Sequence, residues 1–299
     1  MSYSEIFGFL NYPTSLLFEG GKIEPVSDFD KSLEFITKHG NKDGYFYPPS
    51  MKLVEIDINT RKPIKDIPNT EKPAPTFYVP ASHTLYIGEP LVNGSLRQED
   101  AALIIHLLGF FFGTRLQFSD WRMDGKVPTK PSNCFLYQDD VPGHFTSHVY
   151  NTWKLWNAEI RKRYINILYM HSKADSCEWE WDEFLYRYMV LDAIYYLYEL
   201  LGNKRIHGHR NRIIGLCEFF EIKYDIDKVN EIYVLRNSFF HEALWDGNTP
   251  GLGINDAFKT EKWLRRLNSR LIVAIANYRN DFAKSGWWFF GWENFDIFS

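Results

Sequence analysis

The chain has 299 residues, 45% of them hydrophobic and 24% charged, which leaves room for a sizeable core and excludes general disorder. Its net charge of −4 argues against a protein that coats nucleic acid through bulk electrostatics. The length suits one large domain or, as the better reading, two.

Charge is uneven along the chain: 20 basic and 20 acidic residues follow residue 140, against 14 and 18 before it. A neutral second half can hold a local basic groove without binding RNA indiscriminately. Aromatic residues reach 17%, an excess that fits a heavy core better than a base-stacking surface. Cys134, Cys177 and Cys217 are scattered and odd in number, so they read as buried thiols in a reducing compartment. Residues 1–7 offer no secretory leader, and the apolar run around Leu107–Gly113 is far short of the ~20 residues that span a bilayer. A cytoplasmic location is expected.

In chain order, Asp28 to His39 has helical spacing and stops at Gly40. Lys52 to Ile58 alternates like a half-buried strand, and the proline-rich stretch Arg61 to Pro75 reads as an exposed loop. Phe77–Val79 and Thr84–Ile87 read as two strands about a turn. Ser95 and Gln98 form a capping box that opens an apolar helix from Leu96 to about Phe112. Residues 1–140 thus read as a mixed α/β domain, with Trp121 to His144, rich in Gly and Pro, as the boundary. The fold class expected for the whole chain is α+β.

From residue 141 strands disappear. Helices are expected over Thr146–His171, Trp181–Leu201, His209–Phe220 and Asp256–Lys284, together with one capped by Asp225 and running to Phe240. The apolar tail Trp287–Trp292 must dock on its own domain or on a partner subunit.

On the Asp225-capped helix, Val229, Ile232 and Arg236 share one face, so a guanidinium sits on a stripe that is otherwise apolar. It needs an anionic companion, because an unpaired buried charge costs several kcal/mol. Asn237 and His241, four apart, are placed for Asn237 to fix the imidazole tautomer. Arg236 and His241 diverge by about 140° on an ideal helix, so they meet on one phosphate only if the helix ends or bends near Phe240, or if a second copy supplies its own pair.

The segment Val234-Leu235-Arg236-Asn237-Ser238-Phe239-Phe240-His241-Glu242 resembles the HEPN superfamily signature, an Arg, a polar residue (often Asn), three more residues and a His. The resemblance covers residues 141–299, where a long helix pair, a short Arg-containing helix at Arg210–Leu216 and the motif-bearing helix come in the family's order. It implies an all-helical bundle, a homodimer whose Arg-x4-His pairs line one cleft, and RNA cleavage without a metal or cofactor, in toxin or anti-phage settings. On that reading His241 moves a proton and Arg236 grips the scissile phosphate, leaving a 2′,3′-cyclic phosphate and a 5′-hydroxyl. Residues 1–140 match nothing recognised and are free to take a trigger or partner.

Three other readings stand beside it. One is a non-catalytic HEPN module that binds RNA or protein. Another is a structural ion pair between Arg236 and Asp192 or Glu199, with His241 capping a helix end. The third is an enzyme that acts on a nucleotide and not on an RNA chain. Lys204, Arg205, Arg210 and Arg212 form a basic run able to track phosphates, although a solvated face is the plainer reading. The same holds for Arg265, Arg266 and Arg270. His207-Gly208-His209 has a metal-compatible spacing but lacks companion ligands, so it reads as a turn with two exposed histidines. His144 and His148 are four apart, with His144 placed in a loop. Asp139-Asp140 reads as a turn, and Gly247–Gly253 as an interhelical loop.

Overall fold

The alternation of Tyr3–Gly8 puts Phe7 into the core, and this strand (β1) lies between two antiparallel neighbours, β7 (His83–Ile87) and β8 (Gln117–Phe118). The computed structural model describes residues 3–48, 53–57, 59–60, 62–67, 76–91, 96–130, 135–243 and 255–297. With β2 (Leu16–Phe18) and β3 (Gly21–Pro25) the main sheet has the order β2-β3-β7-β1-β8 and is antiparallel throughout. Helix α1 (Phe29–His39) ends at Gly40, whose N–H closes on the carbonyl of Ile36. Short strands β4 (Tyr45–Phe46) and β9 (Val127–Pro128) pair with each other.

The stretch read as a loop contains a strand. β5 (Leu53–Ile56) and β6 (Pro63–Ile67) form an antiparallel ribbon with Leu53 opposite Ile67. Proline is tolerated at Pro63 because it starts the strand, at a register irregularity of a two-stranded ribbon in which both strands are edges. Phe77–Val79 makes only one bridge, Tyr78 to Arg122, and the Arg122 guanidinium lies 4.1 Å from the Phe77 ring centre. Ser95 of the expected capping box falls outside the described residues. The helix it was to open divides into a 3-10 turn, Leu96–Gln98, and α2 (Asp100–Phe112). The buried Asp100 carboxylate accepts from the Leu91 N–H at 2.9 Å and the Tyr150 hydroxyl at 2.6 Å, which anchors the start of α2.

Every residue of α2 except His106 is buried. Such a helix needs apolar surface on all sides. The sheet residues Phe7, Ile23, Leu85 and Ile87 supply one wall; α3 (Val141–Lys154) and α4 (Ala158–Ala174) supply others. The change from strands to helices near residue 140 therefore occurs inside one continuous core.

The single helix expected from Thr146 to His171 is two. The chain leaves α3 at Leu155, and the Asn157 side chain accepts the Ile160 N–H at 3.0 Å to open α4. α3 starts earlier than expected, with Pro142 in its first turn, so His144 is helical and not in a loop. His144 Nδ1 is 3.0 Å from the Tyr278 hydroxyl and His148 Nε2 is 3.2 Å from the Ala276 carbonyl, so this pair ties α3 to the segment Ala276–Tyr278.

α5 (Glu180–Leu200) packs between α4 and α8 (Asn255–Ile275). α6 (His209–Phe219) and α7 (Ile226–Glu242) pack on each other, and α7 also reaches α8. The last expected helix is interrupted: Asn277 takes a left-handed φ of 60°, and Asn280 caps a short α9 (Asp281–Lys284). Gly247–Gly253 falls outside the described residues. No described helix is long and apolar enough to cross a membrane.

The three arginines of α8 each face a carboxylate. Arg265 lies 3.6 Å from Asp175. Arg266 and Arg270 both pair with Glu293, at 3.3 and 2.7 Å. The Arg270 guanidinium is also clasped between the rings of Phe282 and Trp288. Trp288 is fully buried and docks the tail, while Trp287, Phe290 and Trp292 stay exposed. A second buried arginine, Arg187 of α5, donates to the His171 carbonyl at 2.6 Å, to Asp175, to Glu183 at 3.0 Å and to Glu261 at 3.3 Å.

Candidate functional site

Asp225 opens α7 as expected, its carboxylate accepting the N–H groups of Asp227 and Lys228. Val229, Ile232 and Leu235 form the buried stripe, and Arg236 sits half-buried at its margin. The helix runs unbroken to Glu242 and closes with Ala243 in the left-handed region, φ 54°. His241 is thus exposed on the last turn.

The expected divergence of Arg236 and His241 is overcome by side-chain length. Arg236 Nη1 donates to His241 Nε2 at 2.9 Å within one chain, and neither a bend nor a second copy is needed for the two to meet. Asn237 does not orient the imidazole. Its Oδ1 instead accepts from the same Nη1 at 3.0 Å, which fixes the guanidinium. Arg236 also lies over Phe240 and Tyr188, 5.1 and 5.9 Å from their ring centres.

A residue that sequence spacing had placed in an exposed turn joins this group. His209, at the start of α6, accepts from Arg236 Nη2 through Nε2 at 3.4 Å. Its other nitrogen faces the Tyr188 hydroxyl at 3.1 Å and Asp192 at 3.7 Å, so the bonding pattern assigns the proton of neutral His209 to Nδ1. Nothing in the sequence links positions 209 and 236; the packing of α6 on α7 does. Burial and the adjacent Arg236 charge hold His209 below the ordinary imidazole value, with Asp192 pulling the other way. Asp192 is pushed up by burial, against the pull of His209, Arg212 and Arg236.

The basic run divides. Arg212 lies 3.9 Å from Asp192 and over the Tyr195 ring, inside the same cluster. Arg210 donates to Asn230 at 2.6 Å and ties α6 to α7. Lys204 and Arg205 are exposed on the connection before α6, with Arg205 3.7 Å from Glu199. Neither Asp192 nor Glu199 forms a direct ion pair with Arg236 among the described contacts. Asp192 faces two guanidinium groups, those of Arg212 and Arg236. With Arg212, Arg236 and Asp192 the cluster carries one more fixed positive charge than negative.

Clefts of about 860 and 730 Å³ open where the sheet strands β2, β3 and β7 meet α3, and neither is lined by Arg236, Asn237, His241, His209 or Asp192. Among the described residues no three His, Cys, Asp or Glu side chains are grouped as a metal would need. Of the expected buried thiols, Cys217 is buried, Cys177 is half-buried and Cys134 falls outside the described residues. No family model, curated relative or solved structure matches the chain.

Proposed function

We propose that the chain is a metal-independent endoribonuclease of HEPN type, with Arg236, Asn237 and His241 at its working end. The observation that carries this reading is a guanidinium held between two imidazoles at one edge of the helical half. A phosphodiester on Arg236 would lie beside a nitrogen lone pair able to take the proton of the ribose 2′-hydroxyl, as in-line cleavage requires. The Arg236 guanidinium would stabilise the additional negative charge on phosphorus in the transition state. Asn237 keeps its fork aimed. The expected products are a 2′,3′-cyclic phosphate and a 5′-hydroxyl.

The same proposal includes a cytoplasmic toxin or anti-phage role, a homodimer through the helical half, and a trigger received by residues 1–140. Lys204 and Arg205 are the exposed cations that would lead RNA toward Arg236.

Incubating the purified full chain with RNA in EDTA tests the reading. Cleavage by the wild type and its loss in both Arg236→Ala and His241→Ala supports it, and unchanged cleavage in those variants overturns it. Binding without cleavage, equal in wild type and variants, marks a non-catalytic interaction module instead.

A further inference from the structure

Resting on the RNA-cleaving reading, we infer that His209 is the general acid of the same site, held by Asp192 and opposed across the Arg236 guanidinium by His241 as general base. The two imidazoles approach different nitrogens of one guanidinium, His241 at Nη1 and His209 at Nη2. A phosphate gripped by that fork is flanked by both rings, one on each side, the disposition that in-line displacement demands of a base and an acid.

Their surroundings divide the roles. His209 has a carboxylate 3.7 Å from Nδ1 and a tyrosine hydroxyl at 3.1 Å, both able to support an imidazolium. His241 is exposed at the helix end, and its one described side-chain partner is Arg236. The charged and titratable groups facing His209 are Tyr188 and Asp192 from α5, Arg212 from α6, and Arg236 and His241 from α7. In the free protein burial and the two guanidinium groups outweigh Asp192 and hold His209 below the ordinary imidazole value. An RNA phosphate neutralises Arg236, and the balance then favours a proton on His209 Nε2.

The step balances. The 2′-oxygen bonds to phosphorus as its proton passes to His241 Nε2; the bond from phosphorus to the 5′-oxygen breaks as His209 Nε2 gives its proton to that oxygen. Solvent then reprotonates His209 and deprotonates His241. No oxidant or co-reactant is needed.

Two substrates separate the roles: an RNA oligonucleotide, and uridine 3′-(4-nitrophenyl phosphate), whose leaving group departs without a proton. His209→Gln should lose about 100-fold or more on RNA yet stay within about threefold of wild type on the activated ester. His241→Gln should lose activity on both. An equal loss on both substrates for His209→Gln makes it a mere support for Arg236 and overturns the inference, as does full activity on RNA.

If Arg236→Ala and His241→Gln both cleave normally, the nuclease reading itself has failed, which is a different result. A readout independent of turnover is proton uptake on binding a 2′-O-methyl oligonucleotide, taken from calorimetry in two buffers at neutral pH. Wild type should take up a proton that His209→Gln does not; equal uptake, or none in wild type, overturns the assignment.

Discussion

Arg236 Nη1 stands 2.9 Å from His241 Nε2 although the two residues point about 140° apart around α7. The long guanidinium stem closes the gap by folding along the helix, with Phe240 and Tyr188 beneath it. The contact therefore depends on fork shape and reach as much as on charge.

Arg236→Lys tests that dependence. A lysine ammonium keeps the charge but is a single point, and it cannot serve Asn237, His241 and His209 from two separate nitrogens. Single-turnover RNA cleavage should fall about 100-fold or more, with a melting temperature within a few degrees of wild type. A rate within threefold of wild type would show that charge alone suffices.

His83 predicts an acid-sensitive fold. Its ring is fully buried, stacked on Phe7 and edge-on to Phe29, and burial pushes it down to about 4 while the backbone at Thr14 and Tyr12 pulls weakly upward. The native state thus favours neutral imidazole, whereas the unfolded chain takes up its proton near pH 6.5. The stability tied to His83 is complete above that pH and is lost as pH falls from about 6.5 to about 4, an effect of ~3 kcal/mol. Urea titrations at pH 7.5 and 4.5 should show the fall, and His83→Phe should flatten it. A variant that retains the full slope would exonerate this residue.

The buried network at Arg187 predicts a gain from removing a charge. Arg187 and Arg265 face three carboxylates, Asp175, Glu183 and Glu261. One proton restores neutrality, and burial together with the Glu183 charge raises Glu261 well above the usual carboxyl range. A raised native value means that its contribution is complete below the unfolded carboxyl value and declines as pH rises toward the native one. Glu261→Gln should therefore be increasingly more stable than wild type from pH 5 to 8, by chemical denaturation. Arg187→Met, which strands the carboxylates, should cost about 3–5 kcal/mol at neutral pH.

The docked tail is the next target. Glu293→Ala leaves Arg270, 1% exposed, without its carboxylate, and a loss of about 3–5 kcal/mol is expected. Trp288→Ala empties a fully buried site and should cost a similar amount. Thermal melts of both variants that match wild type would mean that the tail adds nothing to the fold.

The sequence was most informative where one local interaction settles an element. Asp225 before α7 and Gly40 after α1 each act within a few residues, and both ends fall where composition places them. Boundaries decided by competition were less legible. Asn157 caps a new helix inside what looks like one amphipathic run, and Asn277 turns the chain out of another. Pro63 reads as a breaker because nothing local shows that it opens an edge strand paired with Leu53–Ile56. Within the site, the one-helix pattern 236–241 was visible, but the rotamer that joins its ends was not. His209 was hidden further still, since its role depends on how α6 packs against α7 and on a carboxylate from α5.

The almost wholly buried α2 has a practical consequence for anyone dividing the chain. Cutting at residue 140 would strip α3 and α4 of the surface that Leu103, Leu107 and Phe110 help to cover. Each fragment would present a freshly opened greasy face to solvent, and the expected product is insoluble protein in place of a tractable helical piece. Activity assays on the helical half alone would then report on aggregation, so the intact polypeptide is the smallest unit in which Arg236, His209 and His241 can be judged.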